Sequence, residues 1–263
     1  MLNKIPDTIK KFIKGKKYSL DNIGKSTSKV IIFDDIVLKI NKVTNQSKQN
    51  IEMMNWLGKK IPVPKVIYYE IVDGYEYLLM SKIEGQMACS EHFLENTTQL
   101  LKILSDALKI LWKADICDCP KNRTIEKELE EAKYRIANNL VDLADCDPET
   151  FGDNGFVNPQ ELLNWLNDNK PIYEPVLSHG DFCLPNIFIK NNEISGFIDL
   201  GDAGIGDKYR DIALCYRSLR NNFNGTYGGK VYPDFTPDKL FEYLEIDPDY
   251  DKIRIYLLLD ELF

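Results

Sequence analysis

Two β-hairpins in the first third of the chain, with one helix between them, constrain the fold more than any other feature. Ser28-Lys-Val-Ile-Ile-Phe33 and Ile36-Val-Leu-Lys-Ile40 are β-rich runs separated only by Asp34-Asp35, a two-residue polar turn that closes antiparallel strands. Residues 46–60 change to helical spacing, with Ile51, Met54 and Leu57 expected on one face beside Met53 and Trp56. Pro62 and Pro64 end that helix and begin an extended segment. Residues 66–69 and 75–80 flank Asp73-Gly74 and read as the second hairpin. The region is therefore β-β-α-β-β, with an exit at 81–85. Ahead of it, Ile5, Ile9, Phe12 and Ile13 are expected to form the inward face of a basic amphipathic helix.

Beyond Gly85 the pattern turns mainly helical. Leu100, Leu101, Leu104, Leu108 and Leu111 recur at spacings of three and four, the mark of a buried helix. A second helix is predicted over about 125–140, and a third near Pro159, a residue suited to a first helical turn. Short strands are predicted at 176–178, 187–190 and 196–198, then helices near 208–220, 237–244 and 250–262. The expected fold class is α+β and bilobal: a small β-rich N-terminal lobe over 1–82, a larger mainly helical C-terminal lobe over 83–263, and a cleft between them.

Composition narrows the function. The formal charge of −8 divides into +6 over residues 1–80 and −14 over the rest. An acidic balance argues against nucleic acid as a partner, because a phosphate polymer needs a basic face. Two regions of opposite sign suggest two ligands of opposite sign. Mean hydropathy is −0.32 and no apolar run nears 18 residues, so no membrane span or membrane partner is expected. The basic N-terminal stretch lacks the apolar segment of a signal peptide. The six cysteines read as scattered, reduced thiols, and Cys117-Asp118-Cys119 has the wrong spacing for a zinc knuckle. A cytoplasmic monomer or weak dimer is expected.

The chemistry concentrates in His179-Gly-Asp-Phe-Cys-Leu-Pro-Asn186, followed by Ile187-Phe-Ile-Lys190 and Gly196-Phe-Ile-Asp199-Leu-Gly201. Phosphoryl transfer from ATP needs one carboxylate to orient an acceptor hydroxyl and take its proton. It also needs oxygen ligands that hold Mg²⁺ against the phosphates. Asp181, Asn186 and Asp199 supply that inventory; taken alone, Asp181 and Asn186 also read as an Asx turn. An acidic run, Asp145-Cys-Asp147-Pro-Glu149-Thr-Phe-Gly-Asp153, reads either as a solvated turn or as a surface for a cation.

His179-Gly-Asp181, Asn186 and Ile198-Asp199 resemble the catalytic and metal-binding loops of the protein-kinase-like phosphotransferases, and most closely those of the aminoglycoside 3′-phosphotransferases of resistant bacteria. The resemblance continues through Met53-Met-Asn-Trp-Leu57, Pro62-Val-Pro-Lys-Val66, Leu78-Leu-Met-Ser81 and Leu258-Leu-Asp-Glu-Leu-Phe263. It implies the protein-kinase-like version of the bilobal fold, with ATP and Mg²⁺ as cofactors. It also implies transfer of phosphate to the 3′-hydroxyl of kanamycin- or neomycin-type aminoglycosides, and hence resistance. By that resemblance Asp181 is the catalytic carboxylate, Asn186 and Asp199 ligate Mg²⁺, and His179 orients the loop. Lys39 grips the ATP phosphates, although alone it reads equally as a solvent-facing lysine. Ser26, within residues 24–28, belongs to the loop over the phosphates, and Met80, Ser81 and Ile83 form the hinge beside adenine. Asp147, Glu149, Arg217, Asp260, Glu261 and Phe263 match positions that hold the drug; Arg217 reads equally as the partner of a nearby carboxylate.

Four positions depart from the family pattern. Asn50 stands where relatives carry a Glu that pairs with the phosphate-gripping lysine, and Asp202 where they commonly carry Arg. Val37 replaces an aromatic beside adenine, and Asn221 an acidic residue on the substrate side. One alternative is a related kinase for another hydroxylated amine, which would share Asp181, Asn186 and Asp199; a second, motivated by Asn50 and Asp202, is a nucleotide-binding pseudokinase.

Overall fold

Five strands of the N-terminal lobe pair antiparallel in the order β1-β2-β3-β5-β4: β1 (Tyr18–Leu20), β2 (Lys29–Phe33), β3 (Ile36–Lys42), β4 (Val66–Val72) and β5 (Tyr75–Ser81). The computed structural model describes residues 5–20, 28–152 and 155–263. Both predicted hairpins are present. Asp73 and Gly74 hold φ of 50° and 76°, the positive values that a tight turn of matching twist requires. The sequence reading missed β1, whose three residues are all exposed, so no alternation marks it; backbone pairing from Tyr18–Phe33 to Leu20–Ile31 holds it on β2.

One face of this sheet is dry. Ile5 joins Ile9 and Ile13 of α1 (Asp7–Ile13) against Ile31, Phe33, Leu38 and Leu79. Phe12 corrects the expected stripe: it is 42% exposed, against the ring of Tyr68. Ile5, Ile9 and Ile13 repeat at four residues, and Phe12 lies about 100° around the helix from Ile13. Strand alternation puts Ile36 and Leu38 in the core and leaves Val37 and Lys39 on the opposite face.

The face predicted for α2 (Ser47–Leu57) also divides. Met53 and Leu57, with Ile61 and Val63, are buried in the large core shared with the C-terminal lobe, whereas Ile51 and Met54 line the cleft. That larger core contains α3 (Glu91–Leu94), α4 (Thr97–Trp112), α5 (Ile125–Ala137), α6 (Pro159–Asp168), α7 (Lys208–Phe223), α8 (Lys239–Leu244) and α9 (Tyr250–Asp260). The five leucines of α4 are all buried, each contributing about 1.5–3 kcal/mol. Asn158 caps α6 by accepting from Glu161 N, with Pro159 in the first turn.

Two small sheets carry the loops of the cleft. β7 (Pro175–Ser178) pairs antiparallel with β10 (Gly204–Asp207), and β6 (Gln86–Met87), β8 (Ile187–Lys190) and β9 (Glu193–Phe197) lie in the order β6-β8-β9. The strand predicted at 196–198 thus begins earlier and ends at Phe197. β10, Gly-Ile-Gly-Asp, carries no β-rich signal because its glycines serve a neighbour: a Cβ on Gly204 would lie 2.7 Å from Arg123 Cγ. Residues 121–123 run beside β10, with Arg123 N donating to Ile205 O at 2.8 Å and Ile205 N to Lys121 O at 2.9 Å. All six cysteines are free thiols. No helix among the described residues is long and apolar enough to cross a membrane.

Candidate active site in the cleft

β7 delivers the chain into the 179–186 loop, whose shape is set from beneath by one carboxylate. Asp211, fully buried in α7, accepts from Ser178 Oγ, His179 N and Gly180 N, each at 3.0 Å. Burial pushes its carboxyl above the ordinary range, against the pull of His179 and of these donors. Gly180 is required here: its φ is +81°, and a Cβ would lie 2.2 Å from Asp202 O. His179 is fully buried, edge-on to Phe182 and Phe197, and its Nδ1 accepts from Asp181 N at 3.3 Å. The imidazole orients the loop, as the sequence suggested.

Asn186 closes the same loop, donating from Nδ2 to Asp181 O at 2.9 Å and to Asp181 Oδ2 at 2.8 Å. Its Oδ1 is thereby left as an acceptor. Ile198 N donates to Asn186 O at 3.0 Å, which brings the chain approaching Asp199 alongside Asn186. Asp199 sits past the end of β9 in the left-handed region, at φ 57°. Lys39 reaches across from β3 to place its ammonium 2.8 Å from Asp199 Oδ1. Burial opposes the charge on Asp199, yet Lys39 and His179 hold its carboxyl below the usual range. Lys39 and Asp199, 160 residues apart, thus pair across the cleft, and the Ile198–Asn186 backbone bond ties that pair to the Asp181–Asn186 loop.

The cleft around them is lined on the small-lobe side by Lys39, Leu78 and Met80 of the sheet with Asn50, Ile51 and Met54 of α2, and on the other by residues 198–201. Val37 pairs with Met80 at its edge. Ser81 is engaged with Lys65, donating from N to Lys65 O and accepting at Oγ from Lys65 N, both at 2.9 Å. Ile83 covers Gly196, where a Cβ would come within 2.8 Å of Ile83 Cδ1. Ser26, and with it residues 24–27 and Asp153, lies outside the described residues.

A second cluster lies beyond Asp181. Cys183 Sγ donates to Asp181 Oδ1 at 3.0 Å; burial first, then the Asp181 charge, push its thiol well above the usual range, and Arg217 and Asp260 also act on it. Asp260 is held between Arg210, at 2.8 Å, and Arg217, and Arg217 lies 3.6 Å from Glu261. Arg217 is thus paired with neighbouring carboxylates. Glu261 Oε2 accepts from Asp147 N at 2.7 Å, which draws the acidic loop onto the end of α9. Asp147 and Glu149 are exposed there, and Asp147 is 3.8 Å from Arg220. Phe263 is half-buried, its ring between Arg123 and Arg135, and its carbonyl oxygen accepts from Arg135. Asn221 donates to Tyr227 Oη at 3.2 Å.

The departures meet basic partners that the sequence reading did not single out. Asn50 accepts at Oδ1 from Lys121 Nζ at 3.0 Å, and Asp202 lies 3.5 Å from Arg123. Asp211 and Arg210 were missed too. Two adjacent charges followed by the fully apolar Ile212-Ala-Leu-Cys215 were the available signal.

A scan against protein families matches residues 26–256 to the phosphotransferase enzyme family. Among curated relatives, an aminoglycoside 3′-phosphotransferase of Enterococcus faecalis is 36% identical over 99% of this chain and 98% of its own length. One of Campylobacter jejuni is 38% identical over 88% of this chain and 85% of its own. Among solved structures, an aminoglycoside phosphotransferase of Streptomyces rimosus superposes with a TM-score of 0.80 at 23% identity, covering 97% of this chain and 95% of the other. The same protein in complex with ADP and streptomycin gives 0.76 at 23% identity, with the same coverage.

Proposed function

Because this chain belongs to the phosphotransferase enzyme family and has near full-length aminoglycoside 3′-phosphotransferase relatives, we propose that it transfers the γ-phosphate of ATP to the 3′-hydroxyl of kanamycin- and neomycin-type aminoglycosides. The observation that carries the reading is the pairing of Lys39 with Asp199 across the cleft, on a chain that runs beside the Asp181–Asn186 loop. The relatives make the acceptor an aminoglycoside.

Asp181 is the carboxylate that orients the acceptor hydroxyl and takes its proton, with Asn186 fixing one of its oxygens. Lys39, which rests on Asp199, is the cation for the ATP phosphates. The carboxylate of Asp199 and the amide oxygen of Asn186 are hard donors that suit Mg²⁺. Among the described residues no group of three or more His, Cys, Asp or Glu side chains could hold a metal, so Asp199 and Asn186 would hold the ion only together with the bound nucleotide. When bound, the ion neutralises charge on the phosphates. Leu78, Met80 and Met54 offer adenine an apolar wall, with the backbone at Met80, Ser81 and Ile83 as its hinge. Ser26 is assigned to the phosphate-covering loop on sequence grounds alone.

For the acceptor, the −14 charge of residues 81–263 favours a polycation. Asp147, Glu149 and Glu261 are the carboxylates for its amines, whereas Asp260, already between two guanidinium groups, orders Arg217 and the floor of the pocket. Phe263 closes the pocket wall. We divide the chain into a nucleotide-binding lobe, 1–82, and a catalytic and aminoglycoside-binding lobe, 83–263. It acts in the cytoplasm as a monomer or weak dimer, without nucleic-acid or membrane partners. A phosphate on the drug adds bulk and negative charge where the drug must fit RNA, which is the basis of resistance.

The test is a coupled ATP-consumption assay with kanamycin, with tobramycin, which lacks the 3′-hydroxyl, and with choline and erythromycin as controls. Kanamycin is expected to be turned over and tobramycin to give no turnover above background, because its attacking hydroxyl is absent. Equal rates for the two refute 3′ transfer; turnover of choline or erythromycin alone selects another acceptor class.

A further inference from the structure

Three side chains of α2 reach one short segment of the large lobe. Gln49 Nε2 donates to Pro120 O at 3.0 Å, Asn50 Oδ1 accepts from Lys121 Nζ at 3.0 Å, and Cys119 Sγ lies 3.8 Å from Met53 Sδ. Lys121 is only 4% exposed. Its ammonium has a second acceptor, the carbonyl of Gly201, two residues past Asp199. Its backbone is fixed independently, because Lys121 O accepts from Ile205 N and Arg123 N donates to Ile205 O, along a strand kept free of side chains by Gly204 and Gly206. A buried ammonium costs several kcal/mol unless its geometry is good, and here the acceptors at Asn50 and Gly201 are neutral. The carboxylate of Asp202, 3.5 Å from Arg123, also attracts the Lys121 ammonium, but burial outweighs it and holds the lysine below its usual range. As a device for stability alone, Lys121 is a poor choice.

Its position suggests what it does instead. Asn50 and Gly201 stand on opposite walls of the cleft that also contains Lys39 and Asp199. We infer that Lys121 is a positioning residue: one ammonium, anchored on the β10 side, ties α2 to the 199–201 turn and so sets the width of the cleft at its phosphate end. Lys39 touches the phosphates; Lys121 acts through the walls. The charges at 121 and 123 also explain how the chain tolerates Asn50 and Asp202, since each meets a basic side chain from this one segment.

The experiment uses the full chain with Lys121→Met, Asn50→Leu and both together, reading ADP affinity by calorimetry, steady-state kinetics and thermal unfolding. In Lys121→Met, ADP Kd and ATP KM are expected to rise about tenfold, the scale of losing hydrogen bonds from a charged donor. Acceptor KM stays within about twofold and Tm does not fall, since an apolar isostere relieves the buried charge. The double variant should match Lys121→Met, because Asn50 acts only through Lys121. Unchanged ADP affinity in Lys121→Met overturns the proposal, as does a lowered Tm with unchanged ATP KM, the mark of a merely structural lysine. If Lys121→Met does not accumulate, Asn50→Leu decides: a rise in ADP Kd of several-fold supports the bridge, and a change below about twofold overturns it. The inference rests on the nucleotide reading of the cleft. A wild-type chain that binds no ADP refutes that reading, whereas wild-type binding with unaffected variants refutes only the bridge.

Discussion

Asp181→Asn is expected to lower kcat by about 10²–10⁴-fold, the range for removing a positioned general base, while the fold and ADP affinity persist. The reason lies in how the side chain is held. Asn186 Nδ2 donates to both the carbonyl and Oδ2 of Asp181, and Cys183 donates to Oδ1, so the carboxylate is oriented before any substrate arrives. An amide in its place keeps one acceptor oxygen and nearly the same shape, but it cannot take a proton. The backbone of the loop is carried by Asp211 and is not disturbed by the exchange. Steady-state kinetics beside ADP calorimetry and thermal unfolding check the separation. A kcat within about tenfold of wild type would remove Asp181 from the chemistry.

Asp260→Asn is expected to destabilise the fold by about 3–5 kcal/mol at neutral pH, as when one partner of a largely buried ion pair is removed. For a chain of this size that lowers Tm by about 10 °C. Asp260 faces Arg210 and Arg217, and Arg210 in turn contacts Glu128, so the exchange leaves two guanidinium groups undercompensated. Burial alone would raise the Asp260 carboxyl; the two arginines outweigh it and hold the carboxyl below its ordinary value. A depressed folded-state carboxyl stabilises above its unfolded pKa and loses that contribution as pH falls through the folded value. The difference between wild type and variant should therefore be full at pH 7 and shrink below about pH 4. Urea unfolding at both pH values measures it. A difference below about 1 kcal/mol at pH 7 would mean that solvent already screens the cluster.

The sheet lobe was legible because its turns and alternation are local. Asp34-Asp35 and Asp73-Gly74 mark their hairpins within a few residues, and the leucines of α4 mark a buried helix. Where a segment has two apolar faces, periodicity does not say which one meets which core: α2 buries Met53 and Leu57 and leaves Ile51 and Met54 to the cleft. Strands without side-chain pattern, β1 and β10, were silent because backbone pairing and close approach make them. At the site, Asp181, Asn186 and Asp199 stand within one short stretch of sequence. Lys121 and Arg123 do not. Their meaning depends on Asn50, Gly201 and Asp202, 71 to 80 residues away, and a charge pair at that separation has no signature in a single chain. Asp202 stood out in the sequence only as a departure from the family's Arg, because its partner Arg123 is brought to it by the fold.

Phosphate is expected to pass from ATP to one hydroxyl of an aminoglycoside. Two-dimensional ³¹P–¹H NMR of the product formed by the wild-type chain from kanamycin and Mg·ATP tests it most directly. A single phosphomonoester resonance correlated to the proton on carbon 3′ and an equal amount of ADP are expected. Correlation to another ring position, or inorganic phosphate with unmodified kanamycin, would contradict it.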